Sequence, residues 1–412
     1  IRRRPEFQRL RSIKQLGTTY YVWPGASHNR FEHCLGVGYL AREMALHLQR
    51  DQPELGITDR DVKCVHIAGL CHDLGHGPWS HVWDGVFIPK ALPNSTWTHE
   101  EGSEMMFDHL LDTSETPIAI DADERTFIKA LIRGDPSRCT RKEKAFLFDI
   151  VANKRNGIDV DKFDYILRDT KEVGVSKNVH LQRIIKSARV IDDEICYDIK
   201  DADALFEVCQ TRYSLHKSFY NHKTAKAIEY MVIDALLLAD PYMNISRRIY
   251  DPVLYRFLTD NILDRIEESA LDPKLCDALA PAREIVHRVR TRKLYKMVDY
   301  GPVPWKEVQR YKEHVTPARI ATIAKRGLSQ DDLQASDNII VDFSPLHYGM
   351  KDKNPLDYIK FYSKNNPNKA ESADPDSFST ILPAVFGEYM LRIYTKDPKY
   401  FGIVQAAYRK LL

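Results

Sequence analysis

Through most of its first 300 residues the chain repeats apolar residues every three or four positions, the period of helices that bury one face. Leu35, Val37, Leu40, Met44 and Leu48 form one such stripe within residues 34–50. Val62, Val65, Ala68, Gly69 and His72 form another within 61–74, which stops at Gly75-His76-Gly77-Pro78, because glycine and proline end helices. Further helical patterns cover about 99–112, 123–133, 143–168, 180–188, 202–220 and 223–239, with loops at Pro53-Glu54, Pro93-Asn94 and Asp135-Pro136. The alternating stretch Ala188 to Lys200, turning at Asp192-Asp193, predicts a small hairpin. After about residue 300 the helical period is interrupted at Gly301–Pro304 and Ser336–Met350. Residues 339–343 and 358–362 are strand-like, 365–377 read as loop, and a helix is expected at about 383–394. These patterns predict a mainly α fold: a helical major lobe with a small hairpin, residues 1–300, and a smaller mixed α/β C-terminal lobe, residues 301–412.

Composition narrows the class. The chain has no run of about 18 apolar residues, so no membrane-spanning helix is expected. It opens Ile-Arg-Arg-Arg without an initiator Met or a secretory signal, which reads as a fragment of an intracellular protein, nuclear or cytoplasmic. Its 7 cysteines include no Cys-x-x-Cys pair, consistent with reduced thiols and no zinc knuckle. The net charge of +2 gives no whole-chain signal for nucleic acid. Basic clusters at Arg2–Arg4, at Arg9 and Arg11, and at Arg288–Lys296 are read as solvated faces or phosphate sites.

The chemistry concentrates early. Of 15 histidines, His28, His33, His47, His66, His72, His76, His81 and His99 fall between positions 28 and 99. His47, His109 and His287 are read as ordinary structural or surface groups. The pair His72–Asp73, at the end of a buried helix, offers one imidazole nitrogen and one carboxylate oxygen. That donor set suits Fe, Mn, Zn or Co better than Ca. His33 and a distant acid would complete four ligands, and Asp161 in Asp159-Val160-Asp161-Lys162-Phe163-Asp164 is the candidate. Those three acids stand at i, i+2 and i+5, so a helix cannot turn all of them to one site, and a solvated acidic face is the plain alternative. No EF-hand pattern is present.

His33, His72–Asp73 and Asp161 match the H…HD…D signature of the HD superfamily of metal-dependent phosphohydrolases. The surrounding segments are more specific: SHNRFEHCLGVGYLA at 27–41, AGLCHDLGHGPWSH at 68–81, WTHEEGSEMMF at 97–107, NKRNGIDVDKFDYILRD at 153–169 and QTRYSLHKSFYNHK at 210–223. With the DYGM-like HYGMKDKNP at 347–355 and FYSKNNPNKA at 361–370, they resemble the sterile-alpha-motif and HD-domain deoxynucleoside triphosphate triphosphohydrolases over nearly the whole chain, without the sterile-alpha-motif domain.

The resemblance implies an HD-domain major lobe with its metal core at about 27–240, an oligomerising or regulatory C-terminal lobe, and hydrolysis of dNTPs to deoxynucleoside and inorganic triphosphate. It implies a divalent transition metal (Fe, Mn or Zn) on His33, His72, Asp73 and Asp161, with Mg2+ accompanying the nucleotide. His76, His81 and His99 would lie at the α-phosphate. His99 is the expected proton-transfer residue, oriented by Glu100, since imidazole titrates near neutrality. The plain alternative makes His99 the first residue of a helix capped by Thr98. Arg30, Lys162 and Arg212 would clamp the triphosphate. Tyr165 and Asp169 would contact phosphate and the sugar 3′ hydroxyl, with Gln15 on the other side of that hydroxyl and Leu16 packed on sugar or base. Tyr220 would exclude a 2′ hydroxyl, and His216 and Asn221 would face the base. Asn221 replaces a Gln of the family pattern.

The family is activated by GTP or dNTP bound between subunits, building dimers into a tetramer. The resemblance places Gln8, Arg11, Val22, Arg189, Lys200, His222, Lys223, Arg292, Lys296 and Lys364 in that machinery. Arg3 stands where the family has an Asp that reads guanine, and an Arg cannot accept from guanine's donors. Asp198 stands where the family has an Arg facing activator phosphates. Altered, GTP-independent activation is therefore expected. The alternatives are an HD phosphodiesterase or nucleotidase acting on another phosphate ester, and a non-catalytic nucleic-acid-binding protein, for which no RNA-binding motif or interleaved aromatic–basic run is present.

Overall fold

In the computed structural model both early stripes are helices, and they pack on each other: α1 (Arg30–Asp51) and α2 (Asp59–Cys71). The structure describes residues 1–412 apart from 176, 178–179, 326–334 and 373–381. Asn29 caps α1, and a reciprocal Thr58–Asp61 capping box starts α2. Val37, Ala41, Met44 and Leu48 of α1 and Val62, Val65 and Ala68 of α2 are buried in the main core. α3 (His99–Asp112) and α4 (Ala122–Arg133) follow, capped by Thr98 and Asp121.

The single helix expected at 143–168 is broken. A short turn and a helix, Ala145–Leu147 and Phe148–Val151, precede a loop, and only then does α5 (Val160–Glu172) begin, capped by Asp159. The cause lies in the asparagines. The Asn153 side chain accepts from the backbone N–H groups of Arg155 (2.9 Å) and Asn156 (3.2 Å), and Asn156 accepts from Ile158 (2.9 Å). Those bonds offer the backbone an alternative to the helix.

The remaining elements run β1 (Arg189–Ile191), β2 (Glu194–Asp198), α6 (Ala202–Leu215), α7 (Lys223–Met243), α8 (Ala280–Arg290), β3 (Lys296–Pro304), α9 (Pro317–Lys325), β4 (Ile339–His347), β5 (Lys360–Ser363), β6 (Asn366–Ser372), β7 (Gly387–Thr395) and α10 (Phe401–Leu411). β1 and β2 form the expected hairpin through Asp192 and Asp193, both left-handed, as a tight two-residue turn demands. The hairpin extends into a four-stranded sheet, β1-β2-β5-β6, so residues beyond 300 return to the helical lobe.

Two expectations fail in the C-terminal region. Residues 366–372, expected as loop, are strand β6; the rest of that stretch, 373–377, lies outside the described residues. The helix expected at 383–394 is strand β7, the centre of an antiparallel sheet β3-β7-β4. Leu391, Ile393 and Tyr394 are buried there, and both edges of the strand are paired. A strand buried in this way loses strict alternation and can mimic a helical period. Val298, Val303, Ile320, Leu391, Ile393 and Val404 belong to a second, smaller core under α9 and α10. Among the described residues no helix is long and apolar enough to cross a membrane.

Candidate metal centre and its pocket

Three elements bring four donor groups together. The first turn of α1 supplies His33, the end of α2 supplies His72 and Asp73, and the first turn of α5 supplies Asp161. Nε2 of His33 lies 3.1 Å from Asp161 Oδ1 and 3.5 Å from Asp73 Oδ2. Nε2 of His72 lies 3.3 Å from Asp73 Oδ1 and 3.5 Å from Asp161 Oδ1. Donors about 2.0–2.2 Å from one shared ion sit about 3–3.6 Å apart, so these four spacings fit the edges of a coordination shell, with His33, His72 and Asp73 the mutually close group.

The protons agree. His72 Nδ1 donates to the Gly69 carbonyl at 2.9 Å, and His33 Nδ1 meets Asp164 Oδ2 at 2.8 Å. Each ring therefore turns the lone pair of Nε2 toward the centre, and His72 Nε2 is buried without a hydrogen bond. Asp164, for which a solvated acidic face is the plain alternative, is the group behind His33, so Asp161 and Asp164 reach one imidazole from opposite nitrogens. Gly36 allows that approach, since a Cβ there would stand 1.8 Å from Asp164 Oδ1. Burial lowers the His33 pKa, but hydrogen bonds to Asp161 and Asp164 outweigh it and carry it up to about 10. A cation at the centre would replace that proton.

The centre opens into a cavity of about 520 Å³. Gln15, Leu16, Arg30, His76, His81, Lys162, Tyr165, Asp169, Arg212, His216, Tyr220 and Asn221 all line it, as do Asp73, Asp161 and His99. Arg30 donates to Asp73 Oδ2 at 2.5 Å and to Ser80 Oγ at 3.1 Å. Lys162 Nζ lies 3.0 Å from Asp159 Oδ2. Arg212 donates to the His347 carbonyl at 2.6 Å. Tyr220 Oη donates to Asp169 Oδ2 at 2.5 Å, and His28 Nε2 meets the other Asp169 oxygen at 2.7 Å. Gln15 Oε1 is buried without a partner. Asn221 Nδ2 is turned back onto the His216 carbonyl at 2.9 Å.

Beside the centre a second cluster holds His76, His81, Asp84 and His99. His99 Nδ1 stands 2.6 Å from Asp84 Oδ2, hydrogen-bond length and too short for two ligands of one ion. Glu100, expected to orient His99, is 3.6 Å away; Asp84 does so instead. A π turn at Trp83–Phe87 carries Asp84 into place, and His81 Nδ1 stands 3.7 Å from its other oxygen. Thr98 caps α3 as the plain alternative for His99 required, yet that first helical turn also presents His99 to the cavity. His76 and His99 stack at 4.2 Å. Burial, with Arg30 and His99 nearby, drives His76 well below its ordinary pKa. Burial opposes protonation of His99 too, but the Asp84 carboxylate outweighs it and raises that pKa. The two stacked rings are thus pushed in opposite directions, His76 toward the neutral form and His99 toward the charged one, the kind of separation that marks acid and base assignments.

A buried frame fixes the turn between them. Arg9 donates to the carbonyls of Leu74 (3.0 Å) and His76 (2.7 Å), and Tyr255 to that of Gly75 (2.7 Å). Asp260 accepts from the backbone of Lys14 (2.8 Å) and Trp79 (2.7 Å), tying the two wall segments together. Trp79 and Ser80 are left-handed there. A Cβ on Gly75 would meet His99 O and Ser103 N at 2.1 Å, so only glycine lets this turn pack on α3. His28, Asp84 and Asp260 were not read from the sequence; an isolated Asp carries no spacing signal.

None of the expected regulatory residues lines the cavity. Arg11 donates to Gln8 at 2.9 Å and lies over Phe31. His222 caps α7 and packs on Trp23, while Arg292 donates to the Tyr21 carbonyl at 3.0 Å, flanking Val22. Arg189 lies over Tyr362. Asp198 accepts from the backbone of Lys200 at 3.0 Å. Lys200, Lys223, Lys296 and Lys364 are exposed.

The HD domain family matches residues 30–153. The human deoxynucleoside triphosphate triphosphohydrolase SAMHD1 is 44% identical over 95% of this chain and 67% of its own length. The Dictyostelium discoideum homologue of that enzyme is 40% identical over 99% of this chain and 76% of its own. A putative HD domain-containing protein of Acanthamoeba polyphaga mimivirus is 29% identical over 97% and 89%. With this candidate His/Asp metal site and a likeness that spans 95% of its length, the chain belongs to the SAMHD1 family of HD-domain deoxynucleoside triphosphate triphosphohydrolases.

Proposed function

We propose that the chain hydrolyses dNTPs to deoxynucleoside and inorganic triphosphate. The observation that carries this reading is a four-donor metal cage opening into one cavity with Arg30, Lys162 and Arg212 on its walls. A substrate with about four negative charges needs such cations, because phosphoryl transfer rests on positioning and electrostatic stabilisation.

His33, His72, Asp73 and Asp161 would hold the divalent ion, for which two nitrogens and two carboxylates suit Fe, Mn or Zn. When bound, it polarises the α-phosphate and acidifies water near neutral pH. Arg30, Lys162 and Arg212 bind the phosphates and their Mg2+ complex. Gln15 and Asp169 bracket the sugar 3′ hydroxyl, Leu16 packs on the sugar, and the Tyr220 ring, anchored on Asp169, fills the space a 2′ hydroxyl would need. His99, whose protonated form the Asp84 carboxylate favours, gives its proton to the departing 5′ oxygen, and His76, pushed toward its neutral form, lies at the α-phosphate. His81 stands beside them on the cavity wall. His216 and Asn221 face the base; with Asn221 turned inward, discrimination among bases is weak.

Regulation is proposed to use nucleotides between subunits of a dimer or tetramer, held by Gln8, Arg11, Val22, Arg189, Lys200, His222, Lys223, Arg292, Lys296 and Lys364. Arg3, and Asp198 with its side chain capping the turn at Ile199–Asp201, support activation that does not depend on GTP. Residues 1–300 are taken as the catalytic lobe and 301–412 as the oligomerising one.

The test is to incubate the protein with dNTPs and a divalent metal and identify the products. Deoxynucleoside plus inorganic triphosphate is expected, and His72→Ala with Asp73→Ala should abolish both turnover and bound metal. Monophosphate plus pyrophosphate would point to another phosphohydrolase. No turnover with tight single-strand binding would favour a nucleic-acid-binding protein, and a double variant that keeps its activity would sink the metal assignment.

A further inference from the structure

One wall of the cavity comes from outside the helical lobe. β4 ends at the cavity rim, and its last residue, His347, lines the cavity beside Arg212, His216 and Lys162. The strand cannot drift from that place, because β4 is paired along its length with β7 and the Arg212 guanidinium donates to the His347 carbonyl at 2.6 Å. The ring is fixed as well. The Gly349 backbone N–H donates to His347 Nδ1 at 3.1 Å, and the Trp305 indole packs edge-on at 5.7 Å. With Nδ1 accepting, the neutral ring must carry its proton on Nε2.

We propose, resting on the dNTP reading above, that His347 is a further phosphate-binding residue of this pocket, acting as a neutral Nε2–H donor to the triphosphate end of the substrate. The charged groups facing it are Arg212 of α6, Lys162 of α5 and Lys351 just beyond β4, with His216 beside them. A polyanion is drawn to that end of the cavity, so the group it meets there is phosphate rather than base. Burial, then Arg212, Lys351 and Lys162, push His347 down to about 4, so the ring stays uncharged at working pH. A neutral donor of fixed tautomer gives direction without the desolvation cost of another cation, and hydrogen bonds to charged acceptors are the stronger kind.

Side-chain geometry supplies the test. Gln can place an amide N–H where Nε2 stands, whereas Asn reaches only to Nδ1 and Ala supplies no donor. Inorganic triphosphate is the probe, titrated by calorimetry into the full chain, with KM and kcat for dATP measured beside it and melting temperature and metal content as controls. His347→Asn should weaken triphosphate binding and raise KM roughly tenfold while kcat stays within about twofold, and His347→Gln should restore both toward wild type. Binding by the wild type should be flat from about pH 6 to 8 in its His347-dependent part, because the ring does not titrate there. Equal binding by wild type and His347→Asn, or a loss in kcat alone, would overturn the proposal. Triphosphate binding tests it even if dATP is not turned over, an outcome that would count against the dNTP reading instead.

Discussion

Replacing Asp84 by Asn should shift the pH dependence of turnover without emptying the metal centre. The carboxylate accepts from His99 Nδ1 at 2.6 Å, and both side chains are mostly buried, 13% and 21% exposed. A hydrogen bond between charged groups is worth about 1.5–3 kcal/mol. A neutral amide in its place withdraws that support from the protonated ring and lowers the His99 pKa. The sign follows from the raised pKa: protonated His99 is present below it and lost as pH rises through it. The stabilisation His99 gives the fold behaves alike, complete below its unfolded pKa and lost as pH rises through the folded one. Turnover of Asp84→Asn should therefore fall most on the alkaline side of the profile, by roughly ten- to a hundredfold for a loss of about 1.5–3 kcal/mol, and by less on the acid side. The assay is kcat against pH with metal content measured on the same samples. Glu100→Gln, whose carboxylate stands 3.6 Å off, should move the alkaline limb far less. An unmoved limb in Asp84→Asn, or a larger shift in Glu100→Gln, would refute the assignment of His99 as acid and Asp84 as its partner.

Three other perturbations probe the frame. Gly75→Ala should destabilise the fold by about 1–3 kcal/mol and lower turnover, since its Cβ must displace the α3 turn that carries His99; a melting curve identical to wild type would contradict this. Tyr220→Phe loses the bond to Asp169, and the freed ring should admit ribonucleotides roughly tenfold better, read as the ratio of kcat/KM for ATP and dATP. Asp260→Asn can accept from only one of Lys14 and Trp79, so KM should rise and stability fall by about 1–3 kcal/mol. Burial carries the Asp260 pKa up to about 7 against those two N–H bonds. The folded chain thus holds this proton more tightly than the unfolded one, and stability should decline from about pH 4 to about pH 7. Denaturant unfolding at several pH values should show that decline weakened in the Asn variant.

The helical lobe was legible because an amphipathic stripe records which face is buried. The stripes of α1 and α2 needed only their spacing, and Gly75 to Pro78 marked where the second ends. The failures have two causes. At 143–168 the asparagine side chains compete for the backbone, and at 387–395 burial on both sides of β7 removes the alternation that reveals a strand. The first is a local competition that an apolar period does not record, and the second is decided by tertiary context that a local window does not contain. The site divides the same way. His33, His72, Asp73 and Asp161 follow from residue type and motif. Asp84, His28 and Asp260 act through contacts made by folding, across 15, 141 and 181 residues of chain, so spacing carries no trace of them. Asp164 has no role from spacing alone, because helical geometry keeps it off the face that Asp161 occupies; His33 resolves this by offering a nitrogen to each.

The central claim is that water attacks the α-phosphorus in this cavity and the 5′ oxygen leaves on a proton from His99. Turnover of dATP in heavy-oxygen water, followed by mass spectrometry of both products, tests it most directly. The label should appear in inorganic triphosphate, one atom per molecule, with the deoxyadenosine unlabelled. Label in the 5′ hydroxyl of deoxyadenosine, or in a monophosphate or pyrophosphate product, would contradict it.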